Sequence, residues 1–567
     1  MTRRSALVFA TAMAFLLVTG ITEPAQAAQS AASTWGGAAD PLRASIGIQG
    51  ALIEQMSCAS AGNCTAFGEY QTAGGPQTPF AVTEKGGKWQ QPRALVTGNT
   101  ANYLSFAVSC ASPGNCAAGG SAPGPSEVYS AFVISQVNGK WGPVTDLAGT
   151  ANAAAADFTT TTAISCSAPG RCTAGGQYTD VAGLVQGWVS DEQANGTWTP
   201  RLRTAANLNA GKGTVTAVSC ASPGNCAVVG QYTDASNVTR AFTADKRGGV
   251  WFAAHPVPGP LTAGTSALAS VSCDAPGDCV AGGYYKAASG NEAFVVREKN
   301  FTWGTATELP GTGALNNGGD ARVTSVSCRA PGKCSAGGHY TDAGHRQQAF
   351  VAAQHGGLWA KAAGVPGLGS LNAGGKSEVT SLSCASAGNC AAGGYYAPSA
   401  NTDDAFVVSE RNGSWQGAQL PRGVAAPAGR DTTVVSVSCP AVSYCGAVGF
   451  YLGSNHFAHP WVASGSVSQP TTAAEKLSAS TVKYGKEQSV RVSVTIAAKF
   501  HGPATGKVTV ISGSVKICVI TLRNGAGSCA LTARKLAPGT RKLTARYAGN
   551  VTYQPALSLP RTLTVKR

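Results

Sequence analysis

The chain has 567 residues, 43% of them hydrophobic, and a formal net charge of +15. That length suits several domains or one large closed repeat domain, and no stretch after the N-terminal apolar run approaches the ~20 apolar residues of a membrane-spanning helix. The charge is uneven: residues 471–567 carry 16 Lys and Arg against Glu475 and Glu487, whereas residues 1–470, apart from Arg3 and Arg4, hold 24 basic and 25 acidic residues. A near-neutral body with a basic end excludes a chain that is basic throughout.

Residues 1–27 read as a secretory signal peptide. Arg3 and Arg4 form its charged start, Ala6 to Val18 its apolar run and Ala25-Gln26-Ala27 its small-residue cleavage site. Export to an oxidising compartment governs the reading of the 18 cysteines. Sixteen form eight Cys-x5-Cys pairs: Cys58/Cys64, Cys110/Cys116, Cys166/Cys172, Cys220/Cys226, Cys273/Cys279, Cys328/Cys334, Cys384/Cys390 and Cys439/Cys445. Each pair begins 52 to 56 residues after the last. Zinc sites favour closer cysteines with His partners, and the seven histidines follow no repeat. The pairs are therefore read as disulfides across hairpins, with no metal and no cofactor.

Each repeat has four parts in a fixed order. In the copy from Ala321 to Val365, a β-type run ends at Cys328 and Ala330-Pro331-Gly332-Lys333 forms a turn. A Gly-rich run follows from Cys334 to Tyr340, then Gln348 to Ala353, and Gly356-Gly357 turns the chain into Leu358-Trp359. Four short strands per repeat and eight repeats predict an all-β fold, an eight-bladed β-propeller over residues 28–465. The small residues of the second run, such as Gly337-Gly338, let neighbouring sheets approach closely. The fourth-strand Trp recurs at Trp89, Trp141, Trp198, Trp251, Trp303, Trp359 and Trp415, and is missing from the eighth copy, where Trp461 falls in the third-strand slot. Trp35 lies 54 residues before Trp89. An N-terminal strand carrying Trp35 is thus expected to complete the last blade and remove an open edge.

Residues 466–475 read as a linker, and 476–567 as an immunoglobulin-like sandwich of about seven strands. Cys518 and Cys529 flank Arg523-Asn524-Gly525, a hairpin signal, and are expected to bond across that hairpin rather than between sheets.

The Ser-Cys-x5-Cys-x-Ala-x-Gly repeat with its downstream Gly-x-Trp resembles repeats in secreted proteins of high-GC Gram-positive bacteria. The C-terminal unit, with Tyr484-Gly485, Gly506-Lys-Val-Thr-Val510, Leu536-Ala-Pro-Gly539, Tyr547-Ala-Gly-Asn550 and Leu563-Thr-Val565, is similar to bacterial Ig-like repeat domains. These resemblances imply an extracellular or cell-surface setting, a spacer or adhesive role for the last domain, and no catalytic residues.

Chemistry-bearing motifs are sparse. There is no Gly-x-Ser-x-Gly elbow, His-Glu-x-x-His or phosphate loop. Propeller hydrolases such as sialidases carry Ser-x-Asp-x-Gly-x-x-Trp turns; Ser272-Cys-Asp274-Ala-Pro-Gly277 comes nearest and lacks the Trp. A tyrosine stands six residues after the second cysteine in seven copies: Tyr70, Tyr178, Tyr232, Tyr285, Tyr340, Tyr396 and Tyr451. In three copies it opens Tyr-Thr-Asp, adding Asp180, Asp234 and Asp342. These residues are either scaffold, each ring closing a strand end, or a ring of sugar-stacking aromatics around one mouth. The second hairpin loop differs in every copy, which places a ligand site on the face of the second turns.

The expected function is non-catalytic binding or adhesion outside the cell by a monomer. The propeller would take an extracellular glycan or cell-envelope polymer, with the basic domain as spacer or anchor and nucleic acid excluded as a partner. A propeller glycoside hydrolase or lyase, and a purely structural spacer, are the competing readings.

Overall fold

The computed structural model describes residues 35, 38–42, 47–96, 102–123, 129–147, 159–421, 431–454, 456–465, 471–498, 503–549 and 553–567. The signal peptide read at 1–27 and the first half of the linker lie outside the described residues.

The repeats form eight successive antiparallel sheets. In the sixth, Arg322–Ala330 pairs with Lys333–Thr341, which pairs with Gln347–His355, and Leu358–Trp359 and Ala363–Gly364 both pair with that third strand. Cys328 stands opposite Cys334 in the first hairpin. All eight expected pairs are disulfides within one hairpin: Cys58–Cys64, Cys110–Cys116, Cys166–Cys172, Cys220–Cys226, Cys273–Cys279, Cys328–Cys334, Cys384–Cys390 and Cys439–Cys445, with Cα separations of 3.8 to 4.1 Å. So short a loop gives only about 2 kcal/mol each in the chain-entropy model. Gly332 adopts φ 67°, and its carbonyl accepts a 3.0 Å bond from the N–H of Gly357 in the third turn. The first and third turns of a sheet therefore sit side by side, and the same bond recurs between Gly62 and Gly87 and between Gly388 and Gly413.

The Gly-Gly step has two steric causes. A bulge in the first strand between Val323 and Ser325 pushes its backbone toward the second. A Cβ on Gly338 would lie 1.9 Å from the carbonyl oxygen of Arg322, and one on Gly337 would lie 2.6 Å from a methyl of Val379 in the next sheet. One glycine admits the bulge and the other admits the neighbouring sheet.

Serine explains the other half of the Ser-Cys motif. The N–H of Cys110 donates to Ser57 Oγ, that of Cys166 to Ser109, Cys220 to Ser165, Cys273 to Ser219, Cys328 to Ser272, Cys384 to Ser327 and Cys439 to Ser383, all at 2.9 to 3.0 Å. Cys58 donates to Ser438 of the eighth sheet. Each first strand is thus tied to the next, and the last to the first. Between the sheets lie separate apolar clusters, each centred on a buried third-strand aromatic such as Phe80, Phe350 or Trp188.

The eighth sheet has three strands of its own, Thr432–Ala441, Tyr444–Leu452 and Ala458–Gly465. Trp35 bridges Gly465, and Ala39 exchanges two 2.9 Å backbone bonds with Val462. Trp35 is buried among Cys439, Cys445 and Trp461.

The C-terminal domain is two sheets. Thr471–Leu477, Arg491–Ala498 and Ala526–Ala530 form the smaller; Thr481–Lys483, Arg561–Lys566, Gly539–Tyr547, Gly506–Ser512, Val515–Leu522 and Ala556–Leu557 form the larger. Val492, Val494, Val508, Leu543 and Leu563 fill the space between. The expected placement of its disulfide is corrected here. Asn524 and Gly525 do form the turn, both at positive φ, but the chain crosses between sheets there. Cys518 lies in the larger sheet and Cys529 in the smaller, so their bond joins the two sheets as well as spanning the turn.

Candidate functional site

The seven tyrosines belong to seven different apolar clusters, and the structure brings none of them together. Tyr178, Tyr232, Tyr285 and Tyr396 are buried, while Tyr70, Tyr340 and Tyr451 are half-buried. Tyr70, Tyr232 and Tyr285 pack edge-on against Phe80, Phe242 and Phe294 of their own sheets. Tyr178 lies under the Arg201 guanidinium, Tyr451 stacks on His459, and Tyr396 donates to Asp404. Burial, then the Glu308 carboxylate, pushes the Tyr285 hydroxyl up to about 12.

The three aspartates shape their own loops. Asp180 Oδ1 accepts the N–H groups of Ala182 and Leu184, and Oδ2 accepts from Gln186. Asp234 and Asp342 repeat the pattern with Ser236 and Val238, and with Gly344 and Arg346. Backbone donors of this kind stabilise the charged form, and all three carboxyls are held below the usual carboxylate range.

Clefts open on both faces. On the side of the second turns, Tyr70 lines a shallow cleft of about 120 Å³ with Glu69, Gln71 and Phe457. A larger cleft, about 480 Å³, opens on the opposite side, among the Cys-x5-Cys turns of the first and second sheets. Thr65, Thr83, Glu84, Gln90, Gln91 and Arg93 line one side, and Pro113, Gly114, Gln136, Asn138 and Trp141 the other. The turns themselves are uniform from copy to copy; the space comes from what lies between them.

Three of the repeat cysteines border this cleft. Cys64, Cys110 and Cys116 line it. Cys172, Cys226 and Cys279 hold the same position in the third, fourth and fifth sheets, away from this cleft, and are buried to the same degree as Cys64 and Cys116. Cys172 sits in the apolar cluster of Tyr178 and Trp188, and Cys279 in that of Tyr285 and Phe294. Cys226 Sγ lies 3.6 Å from Thr173 Oγ1 of the preceding sheet. These three are disulfide partners of the scaffold, as Cys64 and Cys116 are.

The polar groups of the cleft share a position that the motifs do not single out. Twenty residues after the second cysteine stand Glu84, Gln136, Glu192, Lys246, Gln354 and Glu410, with Glu298 nineteen after its own. Each faces the fourth-strand Trp of its sheet across the last hairpin. The spacing is visible in the sequence, but the residue type changes from acid to amide to lysine, and only the structure shows the common role. At later junctions these side chains fill the gap to the preceding sheet. Ser135 donates to Glu192 at 2.6 Å, Lys246 pairs with Asp191 at 2.8 Å, and Trp251 and Trp303 donate to Asp191 and Asp245. At the first junction the corresponding residues are Thr83 and Gln136, and there the space stays open.

Gln136 is 5% exposed and its Oε1 has no hydrogen-bond partner. Burial raises the Glu84 carboxyl, partly offset by the hydroxyl of Tyr444, which donates to it from the eighth sheet. Burial raises Glu298 as well, reinforced by the neighbouring Asp245. Glu410 Oε1 is buried and unpartnered, and its carboxyl is pushed up to about 7 by burial. Glu410 lies within ligand distance of Cys384 and Cys390, but those sulfurs are bonded to each other and are not metal ligands.

Comparison with known proteins gives one sequence match and several distant likenesses in structure. Residues 475–566 match the bacterial Ig-like domain (group 3). No curated protein matches the chain. Sqt1 from Chaetomium thermophilum, solved bound to the N-terminus of ribosomal protein L10, is 12% identical, covering 73% of this chain and 96% of that one at a TM-score of 0.43. The BP39L lectin of Burkholderia pseudomallei is 12% identical, covering 64% of this chain and 98% of that one at 0.38. The lectin of Aleuria aurantia, a six-bladed β-propeller described with a fucose recognition mode, is 14% identical, covering 55% of this chain and 95% of that one at 0.26. Residues 475–566 thus carry a bacterial Ig-like domain, and two lectins, one of them described as a β-propeller, stand among the distant structural neighbours of this β-sheet chain.

Proposed function

We propose that the eight sheets are the blades of one closed propeller, and that the cleft between its first two blades binds a carbohydrate without cleaving it. The protein then acts outside the cell or at its surface as an adhesion protein, with the basic Ig-like domain as spacer or envelope anchor. One observation carries this reading: the buried, unpartnered Gln136 Oε1 beside the cleft. A buried acceptor left unmade costs ~1–3 kcal/mol, and a ligand hydroxyl supplies the missing donor. The surroundings agree. Amides of Asn63, Gln90, Gln91 and Asn138 and hydroxyls of Thr65 and Thr83 offer hydrogen bonds on both sides, and Trp141 offers an apolar ring. The volume lies within the ~300–1,000 Å³ of small-molecule sites.

Cleavage of a glycosidic bond takes two carboxyl groups, one as acid and one as base or nucleophile. The residues lining this cleft include one, Glu84, and Tyr444 already engages it. Binding alone is therefore the reading we adopt over hydrolysis.

The test is a glycan array probed with the mature protein and with Gln136→Leu and Trp141→Ala, each checked for unchanged melting. Loss of the same glycan signals in both variants supports the cleft. Signals that survive both substitutions, or a product released from any bound glycan, reject the reading.

A further inference from the structure

We propose that the outer face of the larger sheet in the C-terminal domain is a docking surface for a linear acidic polysaccharide. This deepens the envelope-anchor role proposed above and is independent of the cleft.

The first observation concerns the two acids of this domain. Glu475 is 3% exposed and Glu487 is fully buried. Glu475 Oε2 accepts from Ser558 Oγ at 2.7 Å, and Glu487 Oε2 from the backbone N–H of Arg534 at 2.9 Å. Both carboxylates are thus used inside the fold. Among the described residues, every Lys or Arg ion pair lies outside this domain. Its surface cations, among the described residues, have no side-chain carboxylate within ion-pair distance.

The second observation is where the cations fall. Along the strands of the larger sheet, Val482, Leu543, Ala545, Val508, Ile517 and Val565 turn into the core. The alternate positions are exposed and carry Lys483, Lys542, Arg546, Lys507, Lys516 and Lys566. Threonines stand in register with them: Lys542 opposite Thr562, Arg546 opposite Thr509, and Lys507 opposite Thr521. Lys483 and Lys566 are directly paired. Like charges in that position destabilise a sheet, and an anion lying across them removes the penalty.

The chemistry selects the partner. Neighbouring strands are ~4.8 Å apart, so the face is a closely spaced array of cations and hydroxyls. It suits an extended chain with regularly placed carboxylates and hydroxyls. Single-stranded nucleic acid takes aromatic stacking platforms, and the exposed positions of these strands, which include Val515, Val519 and Leu557 beside the Lys, Arg and Thr, hold no aromatic ring.

The experiment uses the full mature protein and polygalacturonate as the probe, with neutral dextran as control, at low and high salt. One variant carries Lys483→Gln, Lys542→Gln, Arg546→Gln and Lys566→Gln. A second carries Lys476→Gln, Lys486→Gln, Arg491→Gln and Arg523→Gln, the same charge change at exposed positions off this face. Since surface charges are screened over ~10 Å at 0.1 M salt, wild-type affinity is expected to fall steeply with salt. The face variant is expected to lose about tenfold in affinity and the second variant much less. Equal losses in both variants, salt-insensitive binding, or tighter binding of polyphosphate at matched charge overturns the proposal. Gln136→Leu separates the two readings: it leaves polygalacturonate binding unchanged, and a loss there would move the polymer to the cleft and overturn this one.

Discussion

The backbone N–H of Cys58 donates to the Oγ of Ser438 at 2.9 Å, across 380 residues of sequence. It is the same bond that joins each Ser-Cys step to the next sheet, and here it joins the ends of the array. Removing the acceptor leaves a half-buried amide without its partner, a cost of ~1–3 kcal/mol. Ser438→Ala is therefore expected to lower the melting temperature as much as Ser383→Ala, whose bond to Cys439 lies inside the array. A silent Ser438→Ala beside a costly Ser383→Ala would show that the first and last sheets do not meet in solution.

The segment at Trp35 covers the edge of Ala458–Gly465. Deleting residues 30–40 removes Trp35 and the two Ala39–Val462 bonds and bares that edge. Exposed edges pair with other chains, so size-exclusion chromatography is expected to show aggregation, together with a lower melting temperature. A truncated protein that elutes as a monomer and melts unchanged contradicts this role for the segment.

Gly338 and Gly369 make a controlled pair. A Cβ at Gly338 would meet the Arg322 carbonyl oxygen at 1.9 Å, whereas one at Gly369 meets nothing within 4 Å. Gly338→Ala is expected to cost ~3 kcal/mol or more by forcing the first hairpin apart. Gly369→Ala is expected to be neutral or slightly stabilising, since it restricts the unfolded chain. Chemical denaturation of the two variants distinguishes a steric requirement from mere small-residue composition.

Glu410 provides a pH-dependent test. Its carboxyl is raised from 4.5 to about 7 by burial, with the Ser335 hydroxyl partly opposing. Between those values the folded protein holds a proton that the unfolded chain releases. The stability this gives is fully present below about pH 4.5 and is lost as pH rises through 7. Glu410→Gln keeps the shape without the charge. Denaturation at two pH values is expected to show little change at pH 4 and a gain of up to ~3 kcal/mol at pH 8. Equal effects at both values would mean that Glu410 is not protonated in the fold.

Local, repeated chemistry was legible in the sequence. The cysteine period, the glycine turns, the Gly-Gly step and the displaced Trp each follow from contacts within one hairpin or between equivalent positions of adjacent sheets. A spacing repeated eight times therefore carries them. What the tertiary structure decided depends on unlike side chains brought together from different sheets. The tyrosines recur like a site, yet each is packed against aromatic or charged groups of its own sheet, so recurrence marked scaffold packing. Cys116 and Cys172 are identical in spacing and equally buried, yet only Cys116 borders the larger cleft, because the neighbouring side chains and not the motif set the open space. Thr83 and Gln136 leave open a gap that Asp191 and Lys246 close elsewhere, and no single repeat announces that difference. Cys518 and Cys529 flank a hairpin turn, but the strands leaving it join opposite sheets, because their apolar faces are buried from two sides of one core. Glu475 and Glu487 count as two charges in the composition and as none on the surface, since burial takes both inside and leaves the described cations of that domain without an ion pair.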